Sequence, residues 1–594
     1  MFNKLTTTGK ALIALLIIGL LICGKFFIFD RLPQEVQESQ HFGKVSLPDS
    51  PEASLTGNAA IKLEFPKETD ANNGGTKIIW KMMAWQSQNG IVYSNGGSTT
   101  KENSLFDKAK LDVTLERQDD CFKSCADLVA FTKQYKENPE TPAVFITFMG
   151  SGIPAYISGI SKQVEDLGPE YQPVAFLTTG KSYGEDQIIG DKKYKDNKQN
   201  LKGATVVGVR MDGDLDLALK LCGDNGIKVN VDDKVYDPEA LNFMYSGTFM
   251  DAVVMYNNNY SETRKIAING KTIGRDTTIS ADLVATWTPG DVKAKQGRGG
   301  VTIISTKQYA SIMPNITITC KKWLNDHRIQ AQEITKACAI AGDQIRTFDD
   351  VKKYVSRLNT DFYNEKDASP EYWYKYYNGE QIDEDTRLGG SMVFNLGDMA
   401  NMLGIFIEGQ TDHTDIYKSV YNTFGTLQSK YYPNDLPKYL EYTKAFDKTV
   451  LQTVINENPE LLTGKINLID YSKTEKGDQI GNKSYNIEFA SGSSELTESG
   501  KRELDEIYTN IVSADGTKVE LIGHTDNQGI SSENLSLSER RAKSALEYLK
   551  QKGVESQRLV SKGRGDSEPV ADNSTSAGRA KNRRVNISLF AIKE

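Results

Sequence analysis

The sequence predicts an α/β protein in three parts: an N-terminal transmembrane helix, a two-lobed α/β domain over residues 59–456, and a C-terminal β-α-β-α-β domain over residues 475–594. Three observations predict this. An apolar run lies close to the start of the chain. Residues 59–456 alternate short β-branched runs with helically spaced ones. The final stretch switches to sharply patterned strands and helices. A chain of 594 residues is too long for one core, so several units are expected.

Residues 11–29 read ALIALLIIGLLICGKFFIF, broken only by Lys25. At about 1.5 Å per residue this run spans roughly 28 Å, close to the thickness of a bilayer core. Lys4 and Lys10 precede it, which places the N-terminus in the cytoplasm and the rest of the chain outside. Lys25 lies near the outer end, where its stem reaches the headgroups. A cleaved signal peptide is the competing reading. No small-x-small site follows the run, which continues into Phe26, Phe27, Ile28 and Phe29. Cys23 follows Ile22, where a lipoprotein signal has Gly, Ala or Ser. The expectation is an uncleaved anchor over residues 1–30, with the bulk of the chain in the periplasm.

Residues 31–58 are polar and punctuated by Pro33, Pro48 and Pro51, the pattern of a linker that reaches up to roughly 95 Å. The net charge of -8 is spread along the chain and offers no basic face for nucleic acid. Outside the anchor the cysteines are Cys121, Cys125, Cys222, Cys320 and Cys338. Their odd number leaves at least one unpaired. The histidines, His41, His327, His413 and His524, form no HxxxH or HExxH pair, so buried thiols or a disulfide are expected rather than a metal site.

In the middle domain, 77–80, 143–147, 173–177 and 204–208 read as buried parallel strands. Residues 127–135 and 215–221 carry helical spacing between them. Alternation over this length predicts two lobes with a cleft at their junction. Asn95-Gly96-Gly97 and Gly150-Ser-Gly152 are turns whose free N–H groups suit an anion at a helix start, although Gly pairs are more often plain turns. Trp85 and Trp287 read equally as cleft walls or as core.

The order of these elements resembles a type II periplasmic solute-binding protein, nearest the nitrate/sulfonate/taurine group. Ser94-Asn-Gly-Gly97, Ala285-Thr-Trp-Thr-Pro289 and the stretch from Lys322-Trp-Leu-Asn-Asp-His327 through Ala337 carry the resemblance. It implies a cleft with Asn95, Gly96 and Gly97 on one lip, Trp287 near the other, and a small anionic solute between. An enzymatic relative that makes a thiamin pyrimidine uses an active-site His and a cysteine-rich motif, and neither pattern is present. No nucleophile–base pair or Walker loop appears elsewhere. No catalytic residue, cofactor or metal is expected, and the chain reads as a non-enzyme.

After a second linker at 457–474, residues 485–489 alternate as a half-buried strand. Leu496, Leu504, Ile507 and Ile511 mark a helix capped by Thr497, and 518–523 form the next strand. Ala542, Ala545, Leu546 and Leu549 define one face of a second helix. Its candidate caps are Ser536, with Glu539 as a capping box, and Ser538; Gly553 ends it. Val585, Ile587 and Leu589 alternate in a closing strand.

These residues closely resemble the OmpA C-terminal family. The signature runs Gly523-His-Thr-Asp-Asn527, Gly529, Asn534, Leu537-Ser538, Arg541-Ala542, Gly563, Gly565, Pro569, Gly578-Arg-Ala580 and Asn582-Arg-Arg-Val585. The resemblance implies non-covalent binding of peptidoglycan, with Asp526 and Arg541 at the ligand-binding positions. Diaminopimelate ends in an ammonium next to a carboxylate. Asp526 suits the first and the Arg541 fork the second, while Asn527 and Asn534 are expected to fix the rest of the stem peptide. The competing reading is an internal Asp526–Arg541 salt bridge. His524 is expected to pack within the loop rather than touch ligand.

The combined expectation is an inner-membrane, single-pass protein that grips peptidoglycan and presents a solute-binding-like sensor or adaptor, with a membrane partner protein as a further partner. The alternative is a stator subunit of an ion-driven motor, similar in plan to MotB. Stators resemble one another in a buried membrane carboxylate, and residues 11–29 contain no Asp or Glu.

Overall fold

A computed structural model of the chain describes residues 65–593 apart from 269, 408–413, 464–468 and 491. The apolar run at 11–29 and the linker at 31–58 lie outside the described residues. Among the described residues no helix is long and apolar enough to cross a membrane.

The middle domain forms two lobes, each built on its own sheet. In the first, the strands run in the order Leu111–Arg117, Thr76–Met82, Ala143–Met149, Asn315–Cys320, Pro173–Leu177. The first three are parallel, and Asn315–Cys320 inserts antiparallel between Ala143–Met149 and Pro173–Leu177. Ala143–Met149 is buried at every position, which explains its unbroken apolar run, whereas the edge strand Leu111–Arg117 alternates.

The second lobe carries Val301–Ser305, Gln187–Gly190, Leu283–Thr286, Thr205–Val209, Ala240–Ser246 and Lys228–Asn230, in that order. Of the strands expected to be parallel, Pro173–Leu177 is the exception, because its neighbour is the returning antiparallel strand. The chain crosses between lobes twice, through 178–187 and 305–315. Ser182 and Thr306 join their hydroxyls across the two crossings at 2.6 Å, and the Ser182 N–H donates to the Met313 carbonyl at 3.0 Å.

Helices Arg328–Thr347, Asp349–Tyr363 and Thr449–Glu457 then close over the first lobe. Trp80, Trp85, Trp287, Trp323 and Trp373 are all fully buried, so the two tryptophans weighed as cleft walls belong to the packed interior. Cys121, Cys125, Cys222, Cys320 and Cys338 are buried free thiols. The described part of 457–474 is packed rather than loose: Tyr471 is buried and lies beneath the Arg558 guanidinium.

The C-terminal domain has one more strand and one more helix than expected. Its sheet runs Glu475–Tyr485, Val585–Lys593, Thr517–Gly523, Leu559–Gly563. Helices Glu498–Ser513 and Ser531–Gln551 alternate with the strands, followed by the short Ser576–Asn582. The first strand ends at Tyr485 rather than starting there, because its pairing with Val585–Lys593 runs back to Glu475. Thr497 caps its helix as expected, accepting from the Gly500 N–H. Ser536 and Ser538 are not caps, since that helix already begins at Ser531.

This domain rests on the crossover region of the other. Asp515 accepts from the Ser311 hydroxyl and stands 3.9 Å from Lys181 Nζ, and Asn225 donates to the Ile480 carbonyl at 2.9 Å.

Candidate functional site

The C-terminal site forms where three strand ends meet. Gly523 pairs with Val585 on one side and with Gly563 on the other. The loop after Gly523 therefore emerges beside Arg583 and Arg584. Helix Ser531–Gln551 can lie directly on these strand ends because they lack side chains. A Cβ on Gly523 would stand 2.3 Å from the Ser538 carbonyl oxygen, and one on Gly563 2.5 Å from Ser538 Oγ. That close approach sets Arg541, one turn further along the helix, against the same loop.

Asp526 is mostly buried, and its carboxylate accepts from Arg583 Nη1 at 2.6 Å and from the Gln528 N–H at 3.1 Å. Arg541 does not pair with it. Its Nε donates to the Ser493 carbonyl at 2.9 Å, and its guanidinium lies 5.1 Å from the centre of the Phe489 ring. Burial pulls Arg541 below the ordinary arginine value, Arg583 adds to the effect, and Asp526 opposes it. Two guanidinium groups and one carboxylate thus share the site, one positive charge in excess.

The two asparagines divide. Asn534 is buried and donates to the Asp526 and Gln528 carbonyls, at 3.3 and 3.0 Å, so it shapes the loop from behind. Asn527 is exposed, with only Gln528 Nε2 on its side-chain oxygen, at 3.0 Å. His524 is buried beneath them with no hydrogen bond to either ring nitrogen, and burial depresses its pKa to about 4. The packed role expected for it agrees with this position. Arg583 was the residue that sequence reasoning passed over, although it stands in the quoted Asn582-Arg-Arg-Val585 segment.

The expected lips of the interlobe cleft are not brought together. Asn95, Gly96 and Gly97 form the C-terminal end of helix Asn89–Asn95, not a helix start. The N–H groups of Gly96 and Gly97 are taken by the Val92 carbonyl, and the Asn95 amide by the Gly97 and Val113 carbonyls. No anion cradle remains there. Trp287 stacks on Phe249 at 3.9 Å and donates to the Ala84 carbonyl at 2.9 Å, a contact that joins the lobes.

Acids occupy the junction instead. Glu185 and Asp186 sit on the first crossing, and Asp212, Asp214 and Asp216 surround the start of helix Gly213–Asp224. All are buried, as is Asp291. Asp212 takes the Tyr156 hydroxyl at 3.2 Å, Asp216 the Gln428 amide at 2.8 Å, and Asp291 the Gln187 amide at 3.0 Å and the Gly389 N–H at 2.8 Å. Burial raises Asp212 and Asp291 to about 6 and Asp186 to about 7, and drives Glu185 and Asp214 well above the carboxylate range. The signal was legible in Asp212-Gly-Asp214-Leu-Asp216, acids at every second position leading into an apolar helix.

Residues 488–583 match the family model described as "OmpA family". Outer membrane protein A of Bordetella avium is 38% identical over 101 residues, covering 17% of this chain and 52% of that protein. Peptidoglycan-binding protein ArfA of Mycobacterium tuberculosis is 35% identical over 101 residues, 17% of this chain and 31% of that protein. The periplasmic domain of Helicobacter pylori MotB is 23% identical with a TM-score of 0.18, over 20% of this chain and 78% of that one. The chain spans 52–61% of the length of the first three curated relatives. It carries a C-terminal OmpA family domain.

Proposed function

We propose that this protein binds peptidoglycan non-covalently through its C-terminal domain, and that Asp526 and Arg541 receive the two charges of a diaminopimelate stem peptide. The observation that carries the reading is the convergence of Asp526, Arg541 and Arg583 beside an exposed loop, with one cation more than the acid balances. A ligand bearing an ammonium and a carboxylate side by side completes this set. Its ammonium takes the place of Arg583 on Asp526, and its carboxylate meets the Arg541 fork. Asn527 is free to reach the peptide, and Asn534 keeps the loop in shape. The name of the mycobacterial relative supports peptidoglycan as the ligand.

The remainder of the reading is an envelope adaptor without chemistry of its own. The apolar run at 11–29 anchors it in the inner membrane, and the two-lobed domain stands in the periplasm as a solute-binding-like sensor, with a membrane protein as its partner. Two sheets joined by a double crossing, with a late strand returned to the first sheet, support a domain that opens and closes about 178–187 and 305–315. The absence of Asp or Glu from 11–29 speaks against the stator alternative.

Calorimetric titration of the full chain with a stem tripeptide ending in meso-diaminopimelate tests the assignment. Binding is expected, with a much weaker response to the same peptide ending in lysine, which lacks the distal carboxylate. Equal affinity for the two peptides would remove Arg541 from the site.

A further inference from the structure

Among the acids of the lobe junction, Asp186 and Asp214 stand apart. Asp212, Asp216 and Asp291 each have a donor. At the far end of helix Gly213–Asp224, buried Asp224 is answered by Lys220 Nζ at 2.5 Å and by the Tyr309 hydroxyl at 2.8 Å. Asp186 and Asp214 are fully buried, and none of their four carboxylate oxygens has a hydrogen-bond partner. The two carboxyls lie close enough to repel each other when charged, and the Ser182 hydroxyl lies beside Asp186. No lysine or arginine among the described residues forms a salt bridge with either.

The lobes are shut over this pair. A Cβ on Gly213 would stand 2.5 Å from Met149 Sδ of the first lobe, and Tyr156 of the first lobe holds Asp212 of the second. Gln428 spans the same seam, donating to the Ser151 carbonyl at 3.1 Å and to Asp216 at 2.8 Å. Ser151, on the first-lobe side, is buried with its hydroxyl beside Asp216. Two neighbouring carboxyls enclosed without a cation are costly, and like charges so close do not both ionise unless a cation stands between them. Closure of the lobes over this pair therefore calls for a positive guest.

We infer that the lobe junction is a binding site for a small organic cation, whose ammonium or guanidinium group is held by Asp186 and Asp214 as the lobes close. The inference rests on the reading of the two-lobed domain as a solute receptor and replaces the small anion expected from sequence. An organic cation fits better than a metal ion, because its N–H groups donate along separate directions to separate acceptors. Among the described residues no group of three or more His, Cys, Asp or Glu side chains is placed to hold a metal.

The test is a thermal-shift and native-mass-spectrometry panel on the full chain with putrescine, L-lysine and L-arginine, set against sulfate and ethanesulfonate. At least one of the three cations is expected to raise Tm and to appear as a bound mass on the unmutated chain. Asp214→Asn and Asp186→Asn, each confirmed as folded by circular dichroism, are expected to weaken that cation by a factor on the order of 30 or more. The bound mass on the unmutated chain tests the site even where a variant fails to fold. A response to sulfate or ethanesulfonate alone, retained in Asp214→Asn, would overturn the cation and leave a receptor of another class. If no compound of either sign shifts Tm or binds, and both variants simply gain stability, the pair is a dry acid couple sharing a proton, and the receptor reading falls with the inference.

Discussion

Arg583 Nη1 stands 2.6 Å from Asp526 Oδ2, so the acid of the C-terminal site is held by a neighbour other than the arginine predicted to work with it. Arg541 is turned to the Ser493 carbonyl and the Phe489 ring. Two guanidinium groups are therefore at hand for a ligand carboxylate, one of them already paired with an acid. The Arg583 side chain is about half exposed, and exposed pairs are worth about 0–1 kcal/mol. Arg583→Ala is expected to change affinity for the diaminopimelate tripeptide by no more than about fivefold, measured by calorimetry. Arg541→Ala should abolish detectable binding. The reverse ranking would make Arg583 the carboxylate clamp.

The glycines at the strand ends hold the helix in place. Gly523→Ala puts a methyl group 2.3 Å from the Ser538 carbonyl oxygen, where backbone must move. Overpacking of this kind costs about 1–3 kcal/mol. Denaturant unfolding of the full chain, followed by a probe in the C-terminal domain, should show that loss together with weakened peptide binding. Full stability in Gly523→Ala would mean that the helix does not rest on the strand as described.

His524 gives the same domain an acid-side weakness. Folding lowers its pKa from 6.5 to about 4. Between those values the unfolded chain takes up a proton that the folded chain refuses. The stability it contributes is complete above 6.5 and is lost as pH falls toward 4, by roughly 3 kcal/mol at most. In His524→Asn the C-terminal transition should be less sensitive to pH across that window. An unchanged slope would assign the acid sensitivity to other groups.

Periodicity carried most of the C-terminal domain. Leu504, Ile507 and Ile511 mark one helix face, and Val585, Ile587 and Leu589 one strand face, because each packs one side on a core and leaves the other wet. Leu559–Gly563 escaped because its alternation is interrupted by Ser561 and Lys562 at a sheet edge, and edge strands need no apolar face. In the middle domain, fully buried strands such as Ala143–Met149 were legible as apolar runs. Strand direction was not, because it depends on a partner 140 residues away. That Asp526 and Arg541 lie in one site was readable from their signature. The Asp526–Arg583 pairing was not, since it follows from the register of Gly523 against Val585. The interlobe acids lie on segments separated in sequence, and only the packing of helix Gly213–Asp224 against strand Gln187–Gly190 brings Asp186 to Asp214.

Those acids set a pH dependence of opposite sign. Folding raises Asp186 from 3.8 to about 7, and Asp212 and Asp291 from 3.8 to about 6. The folded chain keeps protons that the unfolded chain has given up, so this contribution is complete below 3.8 and is lost as pH rises through 6 to 7. Melting of the two-lobed domain between pH 5 and 8 should therefore fall in the unmutated chain and flatten in Asp186→Asn. A Tm that rises over this range, in the absence of any added cation, would contradict the burial of these carboxyls.

The five described cysteines offer a check on packing. Burial pushes the thiols of Cys121, Cys125, Cys222, Cys320 and Cys338 above their ordinary value, and a thiol that stays protonated and enclosed reacts slowly. None of the five is expected to react with a thiol reagent within minutes in the native chain, and all should do so after denaturation. Peptide mapping of the labelled protein assigns each. Rapid native labelling at Cys222 would show the second lobe open.

The central claim is that the C-terminal domain grips the cell wall through Asp526 and Arg541. Co-sedimentation of the full chain, in mild detergent, with purified peptidoglycan sacculi tests it most directly, with Asp526→Ala and Arg541→Ala alongside. Loss of either partner of a charged recognition pair costs about 2–5 kcal/mol, enough to empty a weak site. The unmutated protein is expected in the pellet and both folded variants in the supernatant. Variants that sediment as well as the unmutated chain, or an unmutated chain that stays in solution, would contradict the account.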